Sequence, residues 1–205
     1  MANNLATLSS KLATQLDDTD HETWNSTEKD DLVTWAVAKL YPRYARGLDP
    51  ESATITLVDD DFFYALPTGV VEVSRVDRVT EDGDEAGVLI DGAWATTGGK
   101  LRVAPVVVEA GGTLRLHGYG VYDTTTNLIP DALVPLVLAM ARSEAYRRVA
   151  GQRARFLQWQ ASSHQQDTTV NELLALTQES RSETQLLKQE LGRTQRRPVP
   201  GRLGV

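Results

Sequence analysis

The 205-residue chain has no cysteine and only three histidines. Without thiols there is no disulfide framework, no thiolate zinc site and no cysteine nucleophile. That composition suits a reducing cytoplasm, or a particle assembled in one. His21, His117 and His164 stand in unrelated contexts, none with a neighbour at metal-ligand spacing. His117 follows Leu114 and Leu116 and is expected on an exposed strand face. A nucleophile-elbow glycine–serine pattern is missing, as is a helical pair of acids framed as general acid and base. Long apolar runs are missing too. Ala132 to Ala141 is bounded by Asp131 and Arg142, half of the ~20 residues a membrane span needs. The opening Met1-Ala2-Asn3-Asn4 lacks the basic and apolar regions of a signal peptide. The expectation is a protein that is not an enzyme, with no metal, no cofactor and no membrane partner.

What is present is ordinary in amount and uneven in placement. Hydrophobic residues make up 41% and charged residues 24%, as in soluble globular proteins. The length supports one well-cored domain with extensions, or two small domains. Net charge is −7, but residues 1–130 carry 10 Lys/Arg against 21 Asp/Glu, net −11, and residues 131–205 carry 11 against 7, net +4. An acidic body disfavours general nucleic-acid binding, which rests on neutralising phosphates. It suits a surface past which DNA slides without sticking.

Leu5, Leu8, Leu12 and Leu16 share one helical face, and Asp17-Asp18-Thr19-Asp20 stops that helix. Asn25 and Glu28 have capping-box spacing for the next, whose stripe is Leu32, Ala36, Val37 and Leu40, with Trp35 beside it and Pro42 ending it. The two helices are expected to form a hairpin. The acidic turn fails as a calcium loop, because Thr23 stands where an EF-hand needs glycine and Lys29 where it needs glutamate.

From Thr54 to Tyr119 valine, threonine and glycine dominate. Thr54–Val58 and Phe62–Leu66 read as strands, followed by a Pro67-Thr68-Gly69 turn with proline second and glycine fourth. Val70–Val79 loses its alternation, so a bulge is expected near Ser74-Arg75. Glu81 to Glu85 reads as an exposed acidic loop. Gly111-Gly112 is a hairpin signal, whereas Gly98-Gly99-Lys100 and Gly118-Tyr119-Gly120 lack the glycines of phosphate-binding motifs. Short strands with close turns imply an antiparallel sheet, barrel or sandwich.

Asp131 is expected to cap a buried helix from Ala132, with Pro135 in its first turn and a break at Gly151. Helical character continues through Phe156, Leu157 and Trp159. Thr169 and Glu172 open a helix to Leu191 with the register Val170, Leu173, Thr177, Ser180, Thr184, Leu187, Leu191. Its polar centre argues against a self-sufficient coiled coil, and the helix is expected to lie against a partner or neighbouring subunit. Arg193, Arg196, Arg197 and Arg202 form an extended basic tail.

The order of these blocks resembles the head-to-tail adaptor (connector) proteins of tailed bacteriophages. The carriers are Leu5–Leu16 with Asp17-Asp18-Thr19, Trp24, Leu40-Tyr41-Pro42, Leu66-Pro67-Thr68-Gly69-Val70 and Ile129-Pro130-Asp131-Ala132-Leu133. The resemblance covers roughly residues 3–160, and the chain after Gly151 departs from it. It implies a virion neck protein, assembled in the host bacterial cytoplasm and copied about twelve times around a ring beneath the portal. Its partners would be the portal protein, the next neck or tail-completion protein, its own copies, and genomic DNA passing through without sequence-specific binding.

The expected fold is α+β: a helical bundle with an inserted antiparallel β-rich domain and a long C-terminal helical extension. Its parts are a helical hairpin over 1–53, the β-rich domain over 54–127, a core helix over 128–151 packing on the hairpin, and the extension with its tail over 152–205. Partner-binding residues are expected at Trp159, Leu187 and Leu191 as apolar anchors, with Arg193, Arg196, Arg197 and Arg202 pairing with acids. The alternative is a coiled-coil scaffold or assembly chaperone acting through the C-terminal half.

Overall fold

A computed structural model describes residues 3–20, 23–58, 61–79, 85–89, 92–105, 112–126, 128–162 and 169–194. The fold is mixed α+β with antiparallel sheets. It divides into two compact units, Met1–Lys39 with Thr124–Val205, and Leu40–Asp123.

The first unit is helical: α1 (Leu5–Gln15), α2 (Ser26–Ala38), α3 (Val134–Ala150), α4 (Arg153–Ser162) and α5 (Val170–Thr194). The leucine spacing of α1 places Leu8, Leu12 and Leu16 out of solvent, and the Asn4 side chain caps it by accepting from Thr7 N at 2.9 Å. The expected capping box opens α2. Glu28 N donates to Asn25 Oδ1 at 2.9 Å and Asn25 N to Glu28 Oε2 at 3.1 Å. Leu32, Val33, Ala36 and Val37 then face inward.

The entry to α3 differs from expectation. Asp131 does not cap a helix; it starts a single 3-10 turn, Asp131–Leu133, that precedes α3. Its Oδ1 instead accepts from Asn3 Nδ2 at 2.6 Å. Asn3 Nδ2 also donates to the Ile129 carbonyl at 2.8 Å, tying the chain's first described residue to the α3 entrance. Pro135 lies in the first turn of α3, where a missing N–H breaks no helical bond. Leu136 to Ala141 is wholly buried and the helix ends at Gly151.

The largest departure is α5. It packs along α3 of its own chain, and the buried stripe is the polar one: Leu173, Thr177, Ser180 and Thr184. Two of the buried hydroxyls are satisfied within α5 itself. Thr177 Oγ1 donates to the Leu173 carbonyl at 2.9 Å and Thr184 Oγ1 to the Ser180 carbonyl at 2.8 Å. Small side chains let the helices approach closely, so a weak coiled-coil register is a good intramolecular seam.

The second unit holds β1 (Arg46–Gly47), β2 (Thr54–Thr56), β3 (Phe63–Ala65), β4 (Val70–Val79), β5 (Glu85–Val88), β6 (Trp94–Thr97), β7 (Lys100–Val103) and β8 (Thr113–Gly120). One sheet runs β1-β8-β4-β5 with β2 also on β8, and the other runs β3-β7-β6. Ile55, Val76, Leu114 and Leu116 from the first share one core with Tyr64, Leu101 and Val103 from the second. The Pro67 turn is shifted by one residue from expectation. Val70 N bonds to the Pro67 carbonyl at 3.1 Å, so proline is first and Gly69, at φ 83°, third, the position where a type II turn demands positive φ. The bulge is where the valine pattern put it. Val73 pairs Gly118 and Arg75 pairs His117, leaving Ser74 as the extra residue. A side chain at Gly118 would meet the Glu72 carbonyl oxygen at 2.0 Å, so β4 can pass this close only over glycine. Val106–Val108, Gly111, Glu81–Asp84, His21 and His164 lie outside the described residues.

Candidate functional site

In the helical unit α2 and α5 both pack on α3, and a groove of ≈490 Å³ lies between them. Trp35 of α2 and Lys39 at its C-cap form one wall, Arg181 and Lys188 of α5 the other, with Met140 and Arg147 of α3 below. Lys39 Nζ sits 5.9 Å from the Trp35 ring centroid, a cation–π distance. Glu144, also in the lining, is claimed by Arg147, whose Nη2 and Nε lie 2.6 and 2.7 Å from its two oxygens, and by Arg148 Nε at 3.1 Å. The Arg147 hydrogen bond, against the opposing effect of burial and with help from Arg148, holds the Glu144 carboxyl below its ordinary value. Positive charge stays in excess along the groove.

Further charged contacts fix the same helices. Arg142 Nε donates to Ser180 Oγ at 3.2 Å and its Nη2 reaches Glu183, joining α3 to α5. Burial raises Tyr146 on the same helix above its ordinary value, which Arg142 partly offsets. Arg155 of α4 pairs with Glu28 at the start of α2. Asp18, beyond α1, is buried with its carboxylate 2.7 Å from Lys29 Nζ and accepting from Thr23 N at 2.9 Å and Trp24 N at 3.2 Å. The cation held by the acidic turn is therefore the chain's own ammonium.

Two constellations mark the β unit. Asp77 on β4 receives Arg75 Nε and Nη2 at 2.7 and 2.8 Å, and lies 2.7 Å from His117 Nε2 on β8. Burial pushes the Asp77 carboxyl up, but the bonds and charges of Arg75 and His117 together outweigh it and leave it lowered. His117, expected on an open face, is half-buried in this contact. At the other end the Tyr64 hydroxyl pins a turn. It accepts from Val58 N at 3.2 Å and donates to the Asp61 carbonyl at 2.7 Å, while the Val58 and Phe63 side chains are 57% and 55% exposed.

Of the residues expected to bind partners, the structure describes the side chains of Trp159, Leu187 and Leu191. Trp159 is 3% exposed, its ring centroid 6.1 Å from that of Phe156, so it is spent inside the chain and offers no surface. Leu187 and Leu191 are half-buried on α5. Arg193 lies within α5 with its side chain outside the described set, as are residues Arg196, Arg197 and Arg202. Sequence reasoning missed the groove cations, although Lys39 follows Trp35 by one helical turn and Lys188 follows Arg181 by two. Among the described residues no group of three or more His, Cys, Asp or Glu could hold a metal ion. No described helix is long and apolar enough to cross a membrane.

A model of the SU10 adaptor protein family matches residues 3–197, through both compact units and all of α5. The chain belongs to this family. It is thus a structural adaptor of a bacteriophage, a head-to-tail type of protein that associates with other virion proteins at the neck. The SU10 adaptor match runs well beyond Gly151, where the sequence reading placed a departure, and takes in α5, which packs on α3. No curated protein matches the chain.

Proposed function

We propose that this adaptor is copied around a closed ring beneath the portal, with the portal on one side and the next neck or tail-completion protein on the other. The ring forms the conduit through which the genome passes between capsid and tail. The observation that carries this reading is the SU10 adaptor match over residues 3–197, which takes in nearly the whole chain. The net charge of −7 supports it, since an acidic lumen repels phosphates and lets DNA move freely. Leu187 and Leu191 with the arginines at 193, 196, 197 and 202 remain the candidates for docking on the portal or an adjacent subunit, without Trp159. A coiled-coil scaffold is disfavoured because the seam such a helix would offer, Leu173 to Thr184, is already buried in its own chain. Native mass of the chain alone, and after mixing with the portal protein of its own genome, tests the reading. A portal carrying a full set of copies, about twelve by ring symmetry, upholds it; a small oligomer indifferent to the portal overturns it.

A further inference from the structure

The groove over α3 is basic in a chain whose first 130 residues carry net −11. It also has an aromatic wall at Trp35 and an apolar floor at Met140. Its natural occupant is an acidic segment that brings an apolar side chain. The β unit presents one in Asp61–Phe63, with Phe63 more than half exposed and Asp61 the last of three consecutive aspartates in the sequence.

We propose that the groove of one copy receives the Asp61–Phe63 segment of a neighbouring copy, an inference that rests on the ring reading for its setting. Phe63 lies against Trp35 and Met140, and Asp61 meets Lys39, Arg181 and Lys188. Asp61 and Phe63 are already held for this. The Asp61 carbonyl accepts from the Tyr64 hydroxyl at 2.7 Å and Asp61 Oδ1 from Phe63 N at 3.0 Å, so little freedom is lost on docking. Groove and segment are different surfaces of the same chain, and such a head-to-tail contact propagates from copy to copy until it closes. The apolar floor favours a side chain over a bare phosphate backbone as the guest.

Isotope-mixed cross-linking tests the contact. Full-length ¹⁵N-labelled and unlabelled chains are mixed, free and on the portal, and treated with a zero-length carboxylate–amine coupler. The expected product is a mixed-isotope link from Lys39 or Lys188 to Asp61. Its yield should fall roughly tenfold in Phe63→Ala and in Arg181→Glu. Both variants spare the linking groups and alter exposed side chains, and an unchanged melting temperature verifies their folding. Absence of the link both in solution and on the portal overturns the proposal, as does a link from these lysines to a different acid. DNA retardation by the wild type that Arg181→Glu removes would make the groove a phosphate site and overturn it equally. A link without a portal-bound ring sinks the ring reading alone, and a ring without the link sinks the groove contact alone.

Discussion

Lys29 Nζ lies 2.7 Å from the Asp18 carboxylate with both side chains almost shut off from water, 1% and 4% exposed. The ammonium also donates to the Asp18 carbonyl, and the carboxylate takes two backbone N–H groups, so each charge is met by several hydrogen bonds. That network closes the turn between α1 and α2 over Trp24.

Removing one partner leaves the other charge buried and alone. Lys29→Met is expected to destabilise the helical unit by about 3–5 kcal/mol. Denaturant unfolding followed by tryptophan emission checks it, because Trp24, Trp35 and Trp159 all belong to that unit. An unchanged midpoint would mean the pair contributes nothing.

On α5 the size of the buried side chains is what matters. Ser180→Leu, which would strengthen an intermolecular coiled-coil seam, is expected instead to overpack the α3 contact and lose about 1–3 kcal/mol, along with the Arg142 bond to Ser180 Oγ. Thr184→Val keeps the shape and orphans nothing, since the hydroxyl serves only its own helix. It should change stability by less than about 1 kcal/mol. Thermal melts of the two variants, with sedimentation to exclude new oligomers, separate the two seams.

Local rules made much of this legible. The leucine period of α1, the Asn25–Glu28 box and the loss of alternation at Ser74 each rest on neighbours within a few residues. What stayed hidden depends on residues far apart in sequence. Asp131 looks like a cap until Asn3, 128 positions away, claims its carboxylate. Thr177 and Ser180 look like a seam for another subunit until α3 of the same chain is laid against them. His117 looks exposed until a partner 40 residues back, Asp77, turns out to lie across the strand. The groove combines both limits, because its cations are periodic on α2 and α5 but their convergence over α3 is tertiary.

Acid should weaken the two units through different carboxylates. Asp77 and Glu144 are both lowered from ordinary values of 3.8 and 4.5. A carboxylate whose folded-state pKa is depressed contributes stability that is complete above its unfolded value and fades as pH falls through the folded one. Stability should therefore be flat with respect to these groups near neutrality and decline below about pH 4.5. Asp77→Asn should flatten that decline for the β unit, followed at Trp94, and leave the helical unit's decline in place. Glu144→Gln should do the reverse. Urea midpoints between pH 3 and 7 decide it, and matching slopes in wild type and variants would refute the assignment.

The last prediction concerns the C-terminal arginines. Arg193, Arg196, Arg197 and Arg202 supply four of the 11 basic residues beyond position 130 and account for all of that region's net +4. If they dock by pairing with acids, reversing all four to glutamate turns attraction into repulsion at every contact. Portal binding should then be lost at physiological salt, while the melting temperature stays that of wild type. Wild-type binding itself should weaken as salt rises, since exposed pairs are screened beyond a Debye length of roughly 8 Å at 0.15 M. Co-sedimentation with the portal across a salt series measures both effects. Salt-insensitive binding that survives the reversal would move the contact to the half-buried Leu187 and Leu191, and an apolar interface would replace the electrostatic one.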